Sequence, residues 1–259
     1  MNFFLSIWIT VSALLIGFMV WTLVILVRQK ITWKAFAKKH KIRYKEDGFT
    51  VPPQMEGVID GYGYNFFSSE HSSRDRRTTR YLTAIEVLLS SKLPFDLIVA
   101  SGLMVDIFKE IGLPVEIKPD DEKWNDSHLV VTSDESPARA YLTPKRLDVL
   151  MKLMAIKNTS VLLIAKNNNF LLRIDISDPL ITLEKLEKLK NMFKASIKIL
   201  ELDEGEARDL KNAEVLAKSK STSIKVKDDE LEQAASGLSL EDDAQDTDTD
   251  DKDTSDKEA

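Results

Sequence analysis

The chain contains no cysteine, which excludes disulfide staples, thiolate nucleophiles and any zinc site built on sulfur. It has three histidines, His40, His71 and His128, and none stands at the spacing that an HExxH helix requires. Its nine glycines form neither a GxGxxG nor a GxxxxGKS/T loop. The nearest approach, Gly57 to Gly63, lacks the lysine and the following helix. There is no GxSxG elbow, and no acidic side chain occurs before Glu46. These gaps remove the common signatures of nucleotide binding, triad hydrolysis and zinc-dependent proteolysis.

What is present begins with an apolar run. Phe3 to Val27, FFLSIWITVSALLIGFMVWTLVILV, is 25 residues without one ionisable group. As a helix it reaches about 37 Å, against a hydrocarbon core of about 30 Å. Only a helix satisfies its own backbone in lipid, so the run is expected to be helical there. Trp8 and Trp21 lie toward its ends, where amphipathic rings favour the headgroup boundary. A cleaved signal peptide would need a basic start, a shorter apolar stretch and a small-x-small site. Here Met1-Asn2 carries no basic side chain and Arg28-Gln29-Lys30 follows the run. The expectation is an uncut membrane anchor over residues 1–30.

Charge beyond the run has one sign. Arg28, Lys30, Lys34, Lys38, Lys39, Lys41, Arg43 and Lys45 are eight cations before the first acid. Basic residues flanking a transmembrane helix stay cytoplasmic. This predicts a single-pass protein of the cell membrane, with its N-terminus outside and its C-terminal domain in the cytoplasm. Residues 31–47 are expected to form a basic juxtamembrane helix, with Trp33, Phe36 and Ala37 on one side and lysines on the other, lying along or leaving the membrane surface. Arg28, Lys30, Lys34, Lys38, Lys39 and Lys41 are its candidate contacts with anionic lipid headgroups, each worth on the order of 1 kcal/mol near the surface.

Ten acids against two lysines give residues 241–259 a net charge of −8, so with the whole chain at −6 the remainder carries +2. Such a remainder does not resemble the basic surface of a nucleic-acid binder. From about residue 219 the composition is Ser, Thr, Asp, Glu and Lys with few large apolar groups, which predicts a disordered acidic tail over 219–259. Asp246-Thr-Asp248-Thr-Asp250 copies the opening of an EF-hand loop. Asp251 stands where glycine is needed, however, and Lys257 where the bidentate glutamate is needed.

Residues 48–218 suffice for one soluble domain with its own core. Met55–Asp60 and Tyr64–Ser69 flank Gly61-Tyr62-Gly63 as a hairpin. Thr78–Leu89 and Phe95–Ala100 extend it, and four strands with short links predict an antiparallel meander. Leu103, Met104, Ile107, Phe108 and Ile111 have helical spacing up to Gly112. Short strands follow at Val115–Lys118 and His128–Thr132. Ser136-Pro137 and Thr143-Pro144 each place a capping hydroxyl before a proline. Asn167-Asn168-Asn169 turns a hairpin between Val161–Ala165 and Phe170–Ile176. Asp178-Pro179 opens a long helix through Leu200, and Glu206–Lys218 is one more. Strands and helices fall in runs rather than alternating, so the class is α+β: a mostly antiparallel sheet with packed helices behind a transmembrane anchor.

Arg74, Arg76, Arg77 and Arg80 form one cluster that could present guanidinium groups to a phosphate, the candidate anion or lipid site. His40 falls in the basic helix, His71 in a polar loop and His128 at a strand start. Asp60, Glu86, Asp96, Asp106 and Asp175 sit near element ends without forming an evident acid–base couple. No cofactor is implied. The leading expectation is a non-enzymatic interaction module that meets a protein partner or the membrane surface. The alternatives are a membrane-bound, carboxylate- and metal-dependent hydrolase or transferase, and a sensor of anionic lipid or nucleotide working through the arginine loop.

Overall fold

The computed structural model describes residues 2–72, 79–110, 112–203 and 205–210. The chain opens with helix α1, Asn2–His40, unbroken through the apolar run and the basic stretch after it. Its first part is apolar on every side and unburied, and the helix is long and apolar enough to cross a membrane. Beyond Val27 the pattern changes. Gln29, Lys30, Trp33, Phe36 and Ala37 are buried while Ile31, Lys34, Ala35 and Lys38 are exposed, a stripe that recurs every three or four residues.

α1 ends in a Schellman geometry. The amide of Ile42 donates to Ala37 O at 3.0 Å and that of Lys41 to Lys38 O at 3.4 Å, with Lys41 at φ +57°. The basic helix expected over 31–47 therefore stops at His40. No glycine or asparagine announces the stop, because a lysine takes the left-handed position that usually favours them. Arg43–Lys45 then form edge strand β1.

Eight further strands follow: β2 Gln54–Ile59, β3 Tyr62–Ser72, β4 Thr79–Leu88, β5 Leu97–Ala100, β6 Val115–Glu116, β7 Leu129–Thr132, β8 Thr159–Lys166 and β9 Asn169–Ile176. Among the described residues they form one sheet in the order β1-β2-β3-β4-β9-β8-β5-β7-β6, every neighbouring pair antiparallel. The β2–β3 turn uses Asp60 at φ +53° and Gly61 at φ +90°. This makes a two-residue Asp-Gly hairpin one residue shorter than the expected Gly61-Tyr62-Gly63 loop. At β8–β9 the positive φ values fall on Asn167 and Asn168, as the asparagine run predicts.

The four-strand meander holds only for β2, β3 and β4. β5 is separated from β4 by the β9–β8 hairpin. All four β5 residues are buried, the signature of a central strand covered on both faces, and the link from Leu89 to Asp96 is long enough to cross the inserted pair.

The remaining helices are α2 Met104–Lys109, α3 Glu135–Tyr141, α4 Pro144–Met154, α5 Leu183–Leu200 and α6 Glu206–Asp209. Thr143 caps α4 as expected, accepting from the Arg146 amide. α3 is capped by Asp134 rather than Ser136. α5 begins at Leu183, capped by Thr182; Leu180 at φ +54° breaks the helical path from Asp178-Pro179. The expected extension of α6 over 211–218 and the tail 219–259 lie outside the described residues.

One face of the sheet carries the main core, in which Trp33, Phe36 and Ala37 of α1 join Phe66, Ile85, Leu172, Leu189 and Phe193. The other face carries a smaller cluster under α2, built on Ile98, Ala100, Met104, Leu129, Val131 and Leu162.

Candidate functional site

Alternation along β3, β4 and β9 decides what lies on the face away from α1. Tyr64, Phe66, Ile85, Val87, Leu172 and Ile174 point into the main core. Phe67, Ser69, His71, Glu86, Arg173 and Asp175 therefore share the opposite face, and the registers Glu86↔Arg173 and Ala84↔Asp175 bring them together. Arg173 is the hub. Its Nε donates to Asp175 Oδ1 at 2.6 Å, Nη2 to Asp175 Oδ2 at 2.8 Å and to Ser69 Oγ at 2.6 Å, and Nη1 to Glu86 Oε1 at 3.1 Å. The Phe67 ring centroid lies 5.2 Å from its guanidinium carbon. His71 Nε2 donates to Asp175 Oδ2 and lies 3.0 Å from Ser69 Oγ.

Asp175 is fully buried. Burial works to raise its carboxyl, but the bonds from Arg173 and His71 outweigh that and hold it below the ordinary carboxylate range. An ionised carboxylate accepts only, so Nε2 of His71 carries the proton.

These residue types resemble a serine hydrolase relay, and the geometry differs from one. In a relay the carboxylate holds one ring nitrogen and the serine faces the other. Here Asp175 and Ser69 both meet Nε2, while Nδ1 is buried without a hydrogen-bond partner. The Ser69 hydroxyl is buried and engaged by Arg173. Nor do the two carboxylates form an open cation site: Arg173 already bridges Glu86 and Asp175 where a metal ion would have to sit. Among the described residues no group of three His, Asp or Glu side chains is placed to hold a metal. The arrangement is an ion network that ties three strands together through Arg173, with His71 Nδ1 left as its one unpartnered buried nitrogen.

The second constellation is at the end of α1. Lys30 Nζ donates to Phe49 O at 2.8 Å and to Gly48 O, and pairs with Glu46 at 3.0 Å. Thr32 Oγ1 donates to Ile181 O at 2.7 Å. At the helix end, Glu187 of α5 receives Lys39 at 2.7 Å, His40 Nε2 at 2.8 Å and Lys190 at 3.0 Å. Burial pushes the Glu187 carboxyl up, but the bonds from Lys39, His40 and Lys190 bring it down to about 2. The ring of Phe36 lies 5.6 Å from that of Phe66. α1 is thus clamped to both the sheet and α5.

Of the six candidate lipid contacts, Arg28, Lys34, Lys38 and Lys41 are exposed, Lys39 is engaged by Glu187, and Lys30 is buried in the clamp. Trp33, Phe36 and Ala37, expected beside the membrane, are buried against the sheet because Phe66 and α5 offer them a drier surface. Arg74, Arg76 and Arg77 lie outside the described residues; Arg80 stands in β4 opposite His71. His71 proves to be a buried strand residue, since β3 runs through Ser72. His128 has its Nδ1 buried and its ring 5.3 Å from Trp124, edge to face. Sequence reasoning named Glu86 and Asp175 but not Arg173. The available signal was that Ser69, Arg173 and Asp175 all fall at the alternate positions of their strands, opposite the apolar core positions Phe66, Leu172 and Ile174.

No family model matches the chain, and no curated protein matches it. Among solved structures, the mycobacterial trehalose monomycolate transport factor A, TtfA, is similar over 71% of this chain and 95% of that chain, at 12% identity and a TM-score of 0.36.

Proposed function

We propose that this chain is a single-pass membrane protein whose cytoplasmic α+β domain is a non-enzymatic interaction module, held at a fixed attitude to the bilayer. One observation carries the reading. The helix that is long and apolar enough to cross a membrane continues without a break into the domain's own core, through Trp33, Phe36 and Ala37. A tether for an enzyme needs no such fusion, whereas a surface that must meet a partner at a set height and angle gains from it. The buried network of Ser69, His71, Arg173 and Asp175 further supports a structural role for the most polar region of the sheet.

Axial distance sorts the cationic collar. At about 1.5 Å per residue, Arg28 and Lys34 lie within about 11 Å of Val27, and Lys38 and Lys41 about 16–21 Å beyond it. With a Debye length of about 8 Å, the first pair dominates headgroup attraction. Alkaline phosphatase fused after residue 220 is expected to be inactive in a bacterial host. High activity reverses the orientation and removes the cytoplasmic reading. Cross-linking in intact membranes, followed by capture, then identifies a protein partner.

A second reading makes Arg74, Arg76, Arg77 and Arg80 a sensor of anionic lipid. β1 and β3 are each antiparallel to β2, so both run the same way. β1 runs toward Glu46, which pairs with Lys30, so β3 heads for the same end of the sheet. Changing the four arginines to serine is expected to weaken flotation of the cytoplasmic part with anionic vesicles; equal flotation rejects the sensor.

A further inference from the structure

We infer that Gly48–Val51 is a second membrane contact, in which Phe49 and Val51 enter the boundary between headgroups and acyl chains beside α1. The inference rests on the reading that α1 spans a bilayer. The level of the segment follows from Lys30, which stands three residues, about 4.5 Å along the axis, beyond the last residue of the apolar run. Helical side chains lean toward the N-terminus, so its ammonium is brought closer still to the hydrocarbon edge.

That ammonium holds the segment in place. It donates to the carbonyls of Gly48 and Phe49, pairs with Glu46, and lies 5.8 Å from the Phe49 ring centroid. The polar atoms are thus turned inward and satisfied, the Lys30 side chain being 9% exposed. The apolar groups are turned out: Phe49 is 65% exposed, Val51 41%, and Ile31 of the adjoining α1 turn 65%. An aqueous loop has no reason to bury a lysine while presenting a phenylalanine. At the edge of a bilayer the same arrangement places each group in its preferred medium. The patch is continuous with the lipid-facing surface of α1, and the exposed Arg28 and Lys34 flank it with charge suited to anionic headgroups.

Because the chain has no cysteine, single labels need no background removal. Full-length protein carrying Thr50→Cys with a nitroxide is placed in nanodiscs of mixed neutral and anionic lipid. Collision with oxygen is compared with collision with a water-soluble nickel chelate. Leu15→Cys reports the apolar run, and Val58→Cys, in β2 beyond the residues Gln54–Glu56 that pair with β1, reports water. The label at position 50 is expected to favour oxygen severalfold more than that at 58, and to shift toward the chelate when Phe49 and Val51 are both changed to serine. If positions 50 and 58 respond alike while 15 is shielded, the inference is overturned and the anchor stands. If 15 is itself open to the chelate, the anchor reading fails and takes the inference with it. The serine variants alter exposed side chains, and unchanged circular dichroism shows that the fold is retained.

Discussion

Replacing Phe36 with alanine separates a helix that belongs to the domain core from one that merely tethers it. Phe36 is fully buried, in edge contact with Phe66 at 5.6 Å and tilted against His40 at 4.4 Å. Removing a buried phenylalanine forfeits its transfer free energy of about 1.5–3 kcal/mol. It also leaves a cavity where sheet and helix cannot fully collapse, for a total of about 3–5 kcal/mol. For a domain of this size about 1 kcal/mol shifts the melting midpoint by about 2–4 °C, so the variant is expected to melt about 6–20 °C lower. The assay is thermal unfolding of the full chain in nanodiscs, read by near-ultraviolet circular dichroism, with amide exchange over residues 41–46 as a local reporter. Lys34→Ala, on the exposed side of the same turn, is expected to stay within about 0.5 kcal/mol of the parent. A Phe36→Ala shift no larger than that of Lys34→Ala would refute the reasoning, because α1 would then contribute nothing to the core.

Glu187 sets a pH dependence. Its folded-state value of about 2 lies below the ordinary 4.5, so the stability it contributes is full above about 4.5 and is lost as pH falls toward 2. Melting curves between those limits are expected to fall more steeply for the parent than for Glu187→Gln, and parallel curves would sink the assignment. Arg146 is buried, donating to Ile199 O at 3.0 Å, Tyr141 O at 3.1 Å, Glu201 O at 2.9 Å and Glu206 Oε2 at 2.7 Å. Arg146→Met strands these acceptors, two of them at the end of α5, and is expected to cost about 3 kcal/mol or more in denaturant unfolding. Arg146→Lys is expected to recover only part, since an ammonium cannot fork as a guanidinium does. In the sheet network, Arg173→Ala leaves Asp175 buried with His71 as its remaining partner and is expected to cost about 3–5 kcal/mol, against about 1 kcal/mol for Ser69→Ala. A reversed order would show that Ser69, not Arg173, is the hub.

Much of the sheet was legible because its signals are local. The Asn167-Asn168 turn, the β2–β3 hairpin and the Thr143 cap of α4 each follow from residues a few positions apart. What escaped reading depends on contacts far apart in the chain. The end of α1 at His40 rests on Lys41 accepting a left-handed conformation, which no neighbouring residue advertises. The place of β5 was hidden because its partner β8 lies some sixty residues later. A stripe of Trp33, Phe36 and Ala37 beside lysines looks alike whether it meets lipid or protein; only the positions of Phe66 and Phe193 decide. The ion network was half visible, as carboxylates without their arginine, because Arg173 lies nearly ninety residues from Glu86.

The clamp around Lys30 and Phe36 has a mechanical consequence. Placed in a bilayer, an apolar run of about 37 Å exceeds a hydrocarbon slab of about 30 Å, and the rod leans to hide the surplus. With no joint between lipid and sheet, whatever leans the rod swings the whole globule: at about 20° a point about 30 Å beyond the pivot travels about 10 Å sideways. Membrane thickness is thereby converted into the bearing of a protein surface, as a tiller turns with its rudder post.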